Sequence, residues 1–156
     1  MEATNNQLNI VAEVTLSYRP KIRPSQRPVV NTAKDAYHVL QGFWNMDKIE
    51  LCESFCVMLL NNRGRVLGIV ELSSGGITGT VADIRMIFCV ALKACACAII
   101  VAHNHPSGDL KPSSADIKVT SKLVEAGKIL EISVHDHLII SCEGFLSMAE
   151  EKYMEQ

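Results

Sequence analysis

No apolar run in this sequence approaches the ~20 residues that a membrane-spanning helix needs. The N-terminus, Met-Glu-Ala-Thr-Asn-Asn-Gln, has neither the cationic start nor the apolar stretch of a secretory leader. A cytoplasmic protein with no membrane role is expected. A surplus of charge is also missing: 15 Lys and Arg stand against 17 Asp and Glu, for a formal net charge of -2. The global balance therefore gives no reason to expect nucleic acid or an anionic membrane as partner, and any basic patch must be local. Internal repeats, heptads and low-complexity segments are absent, which excludes solenoids and coiled coils. So are two zinc-enzyme signatures, His-Glu-x-x-His and the deaminase pairing of His-x-Glu with Pro-Cys-x-x-Cys.

What is present fits one ordinary domain. A chain of 156 residues, 48% hydrophobic and 21% charged, can bury a core without disulfides or structural metal. Six cysteines (Cys52, Cys56, Cys89, Cys95, Cys97 and Cys142) lie mostly in apolar segments and are expected to be free, buried thiols. Cys95-Ala-Cys97 is one residue short of the usual metal-binding gap and has no second pair to complete a site.

Along the chain, Ile10 to Tyr18 alternates apolar and polar residues, as a strand does. Its exposed edge gives a second copy a place to pair, so a homodimer is an expectation. Arg19 to Pro28 holds Pro20, Pro24 and Pro28 among Arg19, Lys21, Arg23 and Arg27, and reads as an extended basic arm. Such a run is ordinarily a solvated face; clustered cations also make residues 19–27 a candidate phosphate contact. The division expected is therefore residues 1–30 as strand and arm, and 31–156 as the folded domain. Thr32-Ala-Lys-Asp35 reads as a capping box for a helix reaching Trp44. Strands follow at Phe55 to Leu60 and Arg65 to Leu72, joined by a turn at Asn61 to Gly64, before Ser73-Ser-Gly-Gly76 breaks the pattern and a short segment covers Ile77 to Thr80. A helix capped by Asp83 reaches about Ala94, and Ala96 to Ala102 is a strand apolar on both faces. His103 to Gly108 leaves it as a loop, and a helix runs from about Ser114 to Gly127. Leu130 to Val134, His137 to Ser141 and Phe145 to Ser147 close the chain as short strands. This alternation predicts a layered α/β domain around one mixed sheet.

His103 and His105, two apart on an extended segment, point to the same side and can reach one ion. Asp116, one turn into the following helix, can turn its carboxylate back and complete a set of three ligands, leaving a fourth position for water. Zinc in such a site acidifies water and polarises a carbonyl, the two requirements of amide hydrolysis. Ser113-x-x-Asp116 also reads as a plain capping box, and the two roles are compatible. Asn104 and Ser107 read as turn-formers. Asp136-His137 reads as a partner orienting a ligand, or as a structural histidine between strands.

His103-Asn-His105, seven residues beginning Pro-Ser-Gly, and then Ser113-x-x-Asp116 resemble the JAMM metalloprotease signature in the form used by bacterial RadC proteins. Glu71-Leu-Ser-Ser-Gly, the strand before the histidines and Asp136-His137-Leu-Ile-Ile also resemble that pattern, over about Thr32 to Ala149. The resemblance implies a JAMM/MPN core with cytidine deaminase-like layering and one zinc per chain on His103, His105 and Asp116. It further implies that Ser113 supports the tetrahedral intermediate and that a glutamate before the first core strand is the general base. Glu53 fits that place, with Glu71 as its competitor. The chain leaves no room for the helix-hairpin-helix domain that commonly precedes a RadC core, which weakens an inherited DNA role. The expected function is zinc-dependent hydrolysis of a peptide or isopeptide-like amide. The alternatives are a DNA-associated module using the basic arm and a scaffold without turnover.

Overall fold

The computed structural model describes residues 15, 17–75 and 82–154. The strand expected over Ile10 to Tyr18, and the dimer contact through it, lie for the most part outside those residues; Thr15, Ser17 and Tyr18 carry no regular structure. The segment Ile77 to Thr80 also lies outside them. From Arg19 to Pro28 the arm is irregular apart from one 3-10 turn at Pro24–Gln26, as its prolines dictate.

Helix α1 (Ala33–Phe43) starts on the expected capping box: Thr32 Oγ1 accepts from Asp35 N at 3.1 Å and Asp35 Oδ2 accepts from Thr32 N at 2.9 Å. Strand β1 (Ser54–Leu60) turns through Asn61–Gly64 into β2 (Val66–Ser74). Gly64 sits at φ +67°, and its carbonyl accepts from Val30 N, which ties the arm's end to this turn. Helix α2 (Ile84–Lys93), capped by Asp83, leads to β3 (Ala98–Asn104), then α3 (Ser114–Leu130), β4 (Ser133–Ser141) and β5 (Gly144–Ser147).

The sheet order is β2-β1-β3-β4-β5, with β3 and β4 parallel and every other pair antiparallel. Alternate residues of the strands feed two cores. Cys56, Met58, Ile100 and Leu138 pack under α1, while Val57, Leu59, Ile99 and Val101 pack under α2 and α3 through Ile87, Phe88 and Leu123. The result is the expected layered α/β domain, with β3 buried along its whole length at the centre.

Several boundaries differ from the sequence reading. β2 continues through Ser73 and Ser74, which pair with Phe55 and Ser54, so the serines do not break it. β3 runs two residues further, so His103 and Asn104 belong to the strand and not to the loop. β4 is one strand with a register shift, not two strands, because His135 is absorbed as a bulge. The cysteines are all free, yet only Cys56 is fully buried; Cys89, Cys95, Cys97 and Cys142 are exposed because apolar neighbours in their segments take the inward positions.

Helix α3 also passes Gly127 and ends at Leu130, with Glu131 at φ +56° as its left-handed cap. Gly127 is there for space: a Cβ would stand 2.5 Å from the Ile132 carbonyl oxygen, where β4 leaves the helix. Alanine gains about 1 kcal/mol of helix propensity, whereas forcing a backbone clash costs about 1–3 kcal/mol or more. Gly127→Ala is therefore expected to destabilise the domain, read as a lower urea midpoint at unchanged slope; a midpoint equal to or above wild type would show that the close approach is not constraining.

Candidate metal centre

His103 is the next-to-last residue of β3, on the face shared with Phe55, Val57 and Val101, and its ring stacks at 6.2 Å from that of Phe55. His105 follows just past the strand, where its N–H still bonds the Ile140 carbonyl, and so keeps the strand's alternation. Asp116 is the third residue of α3 and turns back over the cap. The three converge: His103 Nε2 lies 2.8 Å from His105 Nε2 and 3.2 Å from Asp116 Oδ1, and His105 Nε2 lies 3.6 Å from Asp116 Oδ2. The set forms a candidate metal site in which the ligand atoms all fall within 4.8 Å.

The residues fit a zinc ion. Bonds of about 2.0–2.2 Å to one tetrahedral ion place neighbouring donors roughly 3.3 Å apart, close to the separations found here. Each ring also has its other nitrogen engaged: His105 Nδ1 donates to the Asp109 carbonyl at 2.6 Å, and His103 Nδ1 meets His137 Nε2 at 2.7 Å. His105 therefore presents Nε2 to the site as an acceptor when neutral. His103 is buried while His105 and Asp116 are partly exposed, so the site opens to solvent on one side only.

Charges follow from this geometry. Burial opposes ionisation of Asp116, but hydrogen bonding to His103 and His105 overcomes it and holds the carboxyl well below the usual carboxylate range. The same Asp116 raises His105 above an ordinary histidine, against the opposing effect of burial; the Asp109 carbonyl and the nearby charge of Glu53 add to the rise. His137 is fully buried, and that desolvation, reinforced by His103, keeps it well below the histidine range and neutral.

Glu53 directly precedes β1, next to Phe55's end of the sheet and near enough to His105 to act on its charge. Glu71 pairs across the sheet with Cys56, whose side chain lies in the α1 core, so it belongs to the face opposite the histidines. Ser113 Oγ donates to Asp116 Oδ2 at 2.6 Å and accepts from Asp116 N at 3.2 Å, while Ser113 N donates to the same Oδ2 at 2.7 Å. Asn104 departs from the expectation of a turn. It is no turn-former but a buried clamp: its Oδ1 accepts from Ser54 N at 2.7 Å, and its Nδ2 donates to Ile49 O and Cys52 O at 2.7 and 2.9 Å. Asn104 thus sits between the two histidines and grips the backbone on both sides of Glu53. Thr120, which carries no motif signal, lies behind the site with its hydroxyl 2.6 Å from His137 Nδ1.

A family model described as the RadC-like JAB domain matches residues 30–153. The chain belongs to that family. Proteins named UPF0758 are similar to it: that of Flavobacterium johnsoniae is 38% identical over 146 residues, 92% of this chain and 62% of that protein. The Porphyromonas gingivalis protein is 36% identical over 146 residues, covering 92% of this chain and 63% of its own length. The Moorella thermoacetica protein is 49% identical over 98 residues, covering 63% and 43%. The chain spans less than two thirds of the length of each of these relatives. JAB domains often are zinc hydrolases, and this RadC-like domain carries the His-His-Asp triad. No helix among its described residues is long and apolar enough to cross a membrane.

Because folding raises the proton affinity of His105, its contribution to the stability of the metal-free domain is full below the unfolded value near 6.5 and is lost as pH rises through the raised folded value. Zinc must displace that proton, so below the raised value its affinity should fall by about tenfold per pH unit. Chelator competition at pH 6 and pH 8 measures this, and an affinity flat between them would mean that His105 is not a ligand. Asn104→Ala removes the partner of three backbone groups, each worth about 1–3 kcal/mol when left unsatisfied. A loss on the order of 3 kcal/mol in urea unfolding is expected, and a loss under about 1 kcal/mol would show that water replaces the clamp.

Proposed function

We propose that this RadC-like domain is a zinc-dependent hydrolase of a peptide or isopeptide-like amide, holding one zinc on His103, His105 and Asp116. The observation that carries the reading is the convergence of two imidazole Nε2 atoms and a carboxylate on one point, open to solvent, with Glu53 on the same side of the sheet end. When bound, zinc supplies Lewis acidity, bringing a water's pKa to about 7 and polarising a carbonyl.

The chain's own residues would do the rest. Glu53 takes the proton of the attacking water and passes it to the leaving amine, a role that needs a carboxylate close to the cation and held in place. The hold is available in the hydrogen bonds of Asn104 to Cys52 O and Ser54 N, and in Gly75 N donating to Glu53 O at 3.0 Å. Glu71, on the other face, lacks this access. Ser113 contributes a hydroxyl to the developing oxyanion. Asp116 Oδ2 already accepts from Ser113 N, so the hydroxyl proton can rotate away without orphaning the carboxylate.

Metal content of untagged protein, followed by a screen of peptide and isopeptide substrates, tests the proposal. Near one zinc per chain is expected in wild type, with loss in both His105→Ala and Asp116→Ala. Glu53→Gln should keep zinc and lower turnover by roughly 10²–10⁴-fold, while Glu71→Gln leaves it unchanged. A protein that takes up no zinc when offered it would sink the hydrolase reading. Salt-steep DNA binding lost with the 19–27 arm would then favour the nucleic-acid alternative.

A further inference from the structure

We propose that Thr120 and His137 are positioning residues: they lock His103 in the tautomer protonated at Nδ1, so that its Nε2 lone pair is aimed permanently at the metal position. The inference deepens the zinc-site reading and rests on it for its effect on metal affinity, but the tautomer itself is a property of the metal-free chain.

The direction of the hydrogen bonds is forced. Thr120 Oγ1 lies 2.6 Å from the Asp116 backbone carbonyl, one turn earlier in α3. A carbonyl oxygen only accepts, so two oxygens at that distance require the threonine's single proton between them. Thr120 can then only accept from His137 Nδ1, 2.6 Å away. His137 is fully buried and its two ring nitrogens meet only the Thr120 hydroxyl and the His103 ring, with no carboxylate bonded to them, so the ring carries a single proton; with that proton on Nδ1 its Nε2 is an acceptor, and the 2.7 Å contact to His103 requires a proton on His103 Nδ1. His103 Nε2 is left bare. The chain of bonds starts on the backbone of Asp116 and ends on the ring that faces the Asp116 carboxylate, which joins a ligand from β3 to a ligand from α3 behind the metal.

A second observation shows that the fold is built to deliver His137 there. In the β3–β4 pairing, Ile99 is opposite Val134 but Ile100 is opposite Asp136, so His135 is an extra residue. Val134 packs in the α2/α3 core. Unbroken alternation would put Asp136 on that face and His137 under α1. The bulge reverses this, placing His137 beside Val101 and His103, with Asp136 beside Ile100. Asp136 then fixes the turned strand: its Oδ1 accepts from His137 N at 2.7 Å and Ala149 N at 3.0 Å, and its Oδ2 from Ser147 Oγ at 2.5 Å.

Thr120→Val keeps the side-chain shape and removes only the hydroxyl, and Thr120→Ser restores it. The experiment compares wild type with both variants, using histidine ring ¹⁵N–¹H correlation spectra of the metal-free protein and zinc affinity by chelator competition, with circular dichroism as the check of fold. Wild type and Thr120→Ser should show His103 protonated at Nδ1 alone. Folded Thr120→Val should show it redistributed toward Nε2, with zinc bound roughly ten- to a hundredfold more weakly. If Thr120→Val does not fold, the wild-type and Thr120→Ser spectra still decide: a proton on His103 Nε2 in either overturns the proposal. So does a folded Thr120→Val with wild-type tautomer and affinity. If wild type binds no zinc but His103 carries its proton on Nδ1 and loses that preference in Thr120→Val, the zinc-site reading fails and the tautomer lock stands.

Discussion

Two imidazole nitrogens facing each other across 2.8 Å, with a carboxylate 3.2 and 3.6 Å away, are the constraint on which the rest of this structure depends. With His105 Nδ1–H given to the Asp109 carbonyl and His103 Nδ1–H given to His137, each facing nitrogen holds a lone pair unless a further proton is added. Such a position is repulsive until a cation enters it, and the two cations available are a proton and a metal ion. The raised proton affinity of His105 and the depressed one of Asp116 express the same demand in the metal-free chain. A repulsive arrangement persists only where rigid elements impose it. β3, flanked on both sides by strands and buried throughout, gives His103 that rigidity, and the first turn of α3 gives it to Asp116.

Rigidity of this kind requires polar groups in the core, which are costly unless each is bonded. His103, Asn104, Thr120, Asp136, His137 and Ser147 are all buried, and among the described residues no buried side-chain nitrogen or oxygen lacks a partner. The bonds divide the labour. Asn104 holds the strand that follows Glu53, Asp136 holds the bulged strand and the turn after β5, and the Thr120–His137 pair holds the ring of His103. Met148 closes the back, its N–H on the His137 carbonyl and its sulfur 3.7 Å from the Thr120 hydroxyl. The turn that follows β5 is therefore part of the wall behind the site.

Most of this fold was readable because its signals are local. Thr32-x-x-Asp35 and Ser113-x-x-Asp116 announce helix starts by side-chain chemistry alone, and both capping boxes are present. The apolar runs of β1 and β3 announce buried strands by composition. The triad was legible for the same reason: strand spacing for the histidines and one helical turn for the aspartate are short-range rules. What was misread depends on pairing at a distance. Nothing between Leu130 and Ser141 signals that His135 is skipped, because a bulge is defined by the partner strand. Asn104 beside a Pro-Ser-Gly loop has the composition of a turn, and its clamp on residues 49–54 exists only once β1 lies beside β3. Gly127 resembled a helix stop, but its meaning comes from Ile132 crossing it.

The position of Asp116 at a helix N-terminus answers an electrostatic difficulty. The free N–H groups and the dipole at the start of α3 carry partial positive charge, which repels a cation. The carboxylate at the third helical position cancels it by accepting from Ser113 N and, through Ser113 Oγ, completing the capping box. These bonds fall on Oδ2, whereas Oδ1 is the oxygen nearer His103. One carboxylate thus serves the helix end through Oδ2 while facing both imidazoles, with Oδ1 3.2 Å from His103 Nε2 and Oδ2 3.6 Å from His105 Nε2, so the capping box and the convergence on the histidines coexist. The spacing Ser113-x-x-Asp116 puts the carboxylate at the third helical position, within reach of both its own cap and the strand end it faces.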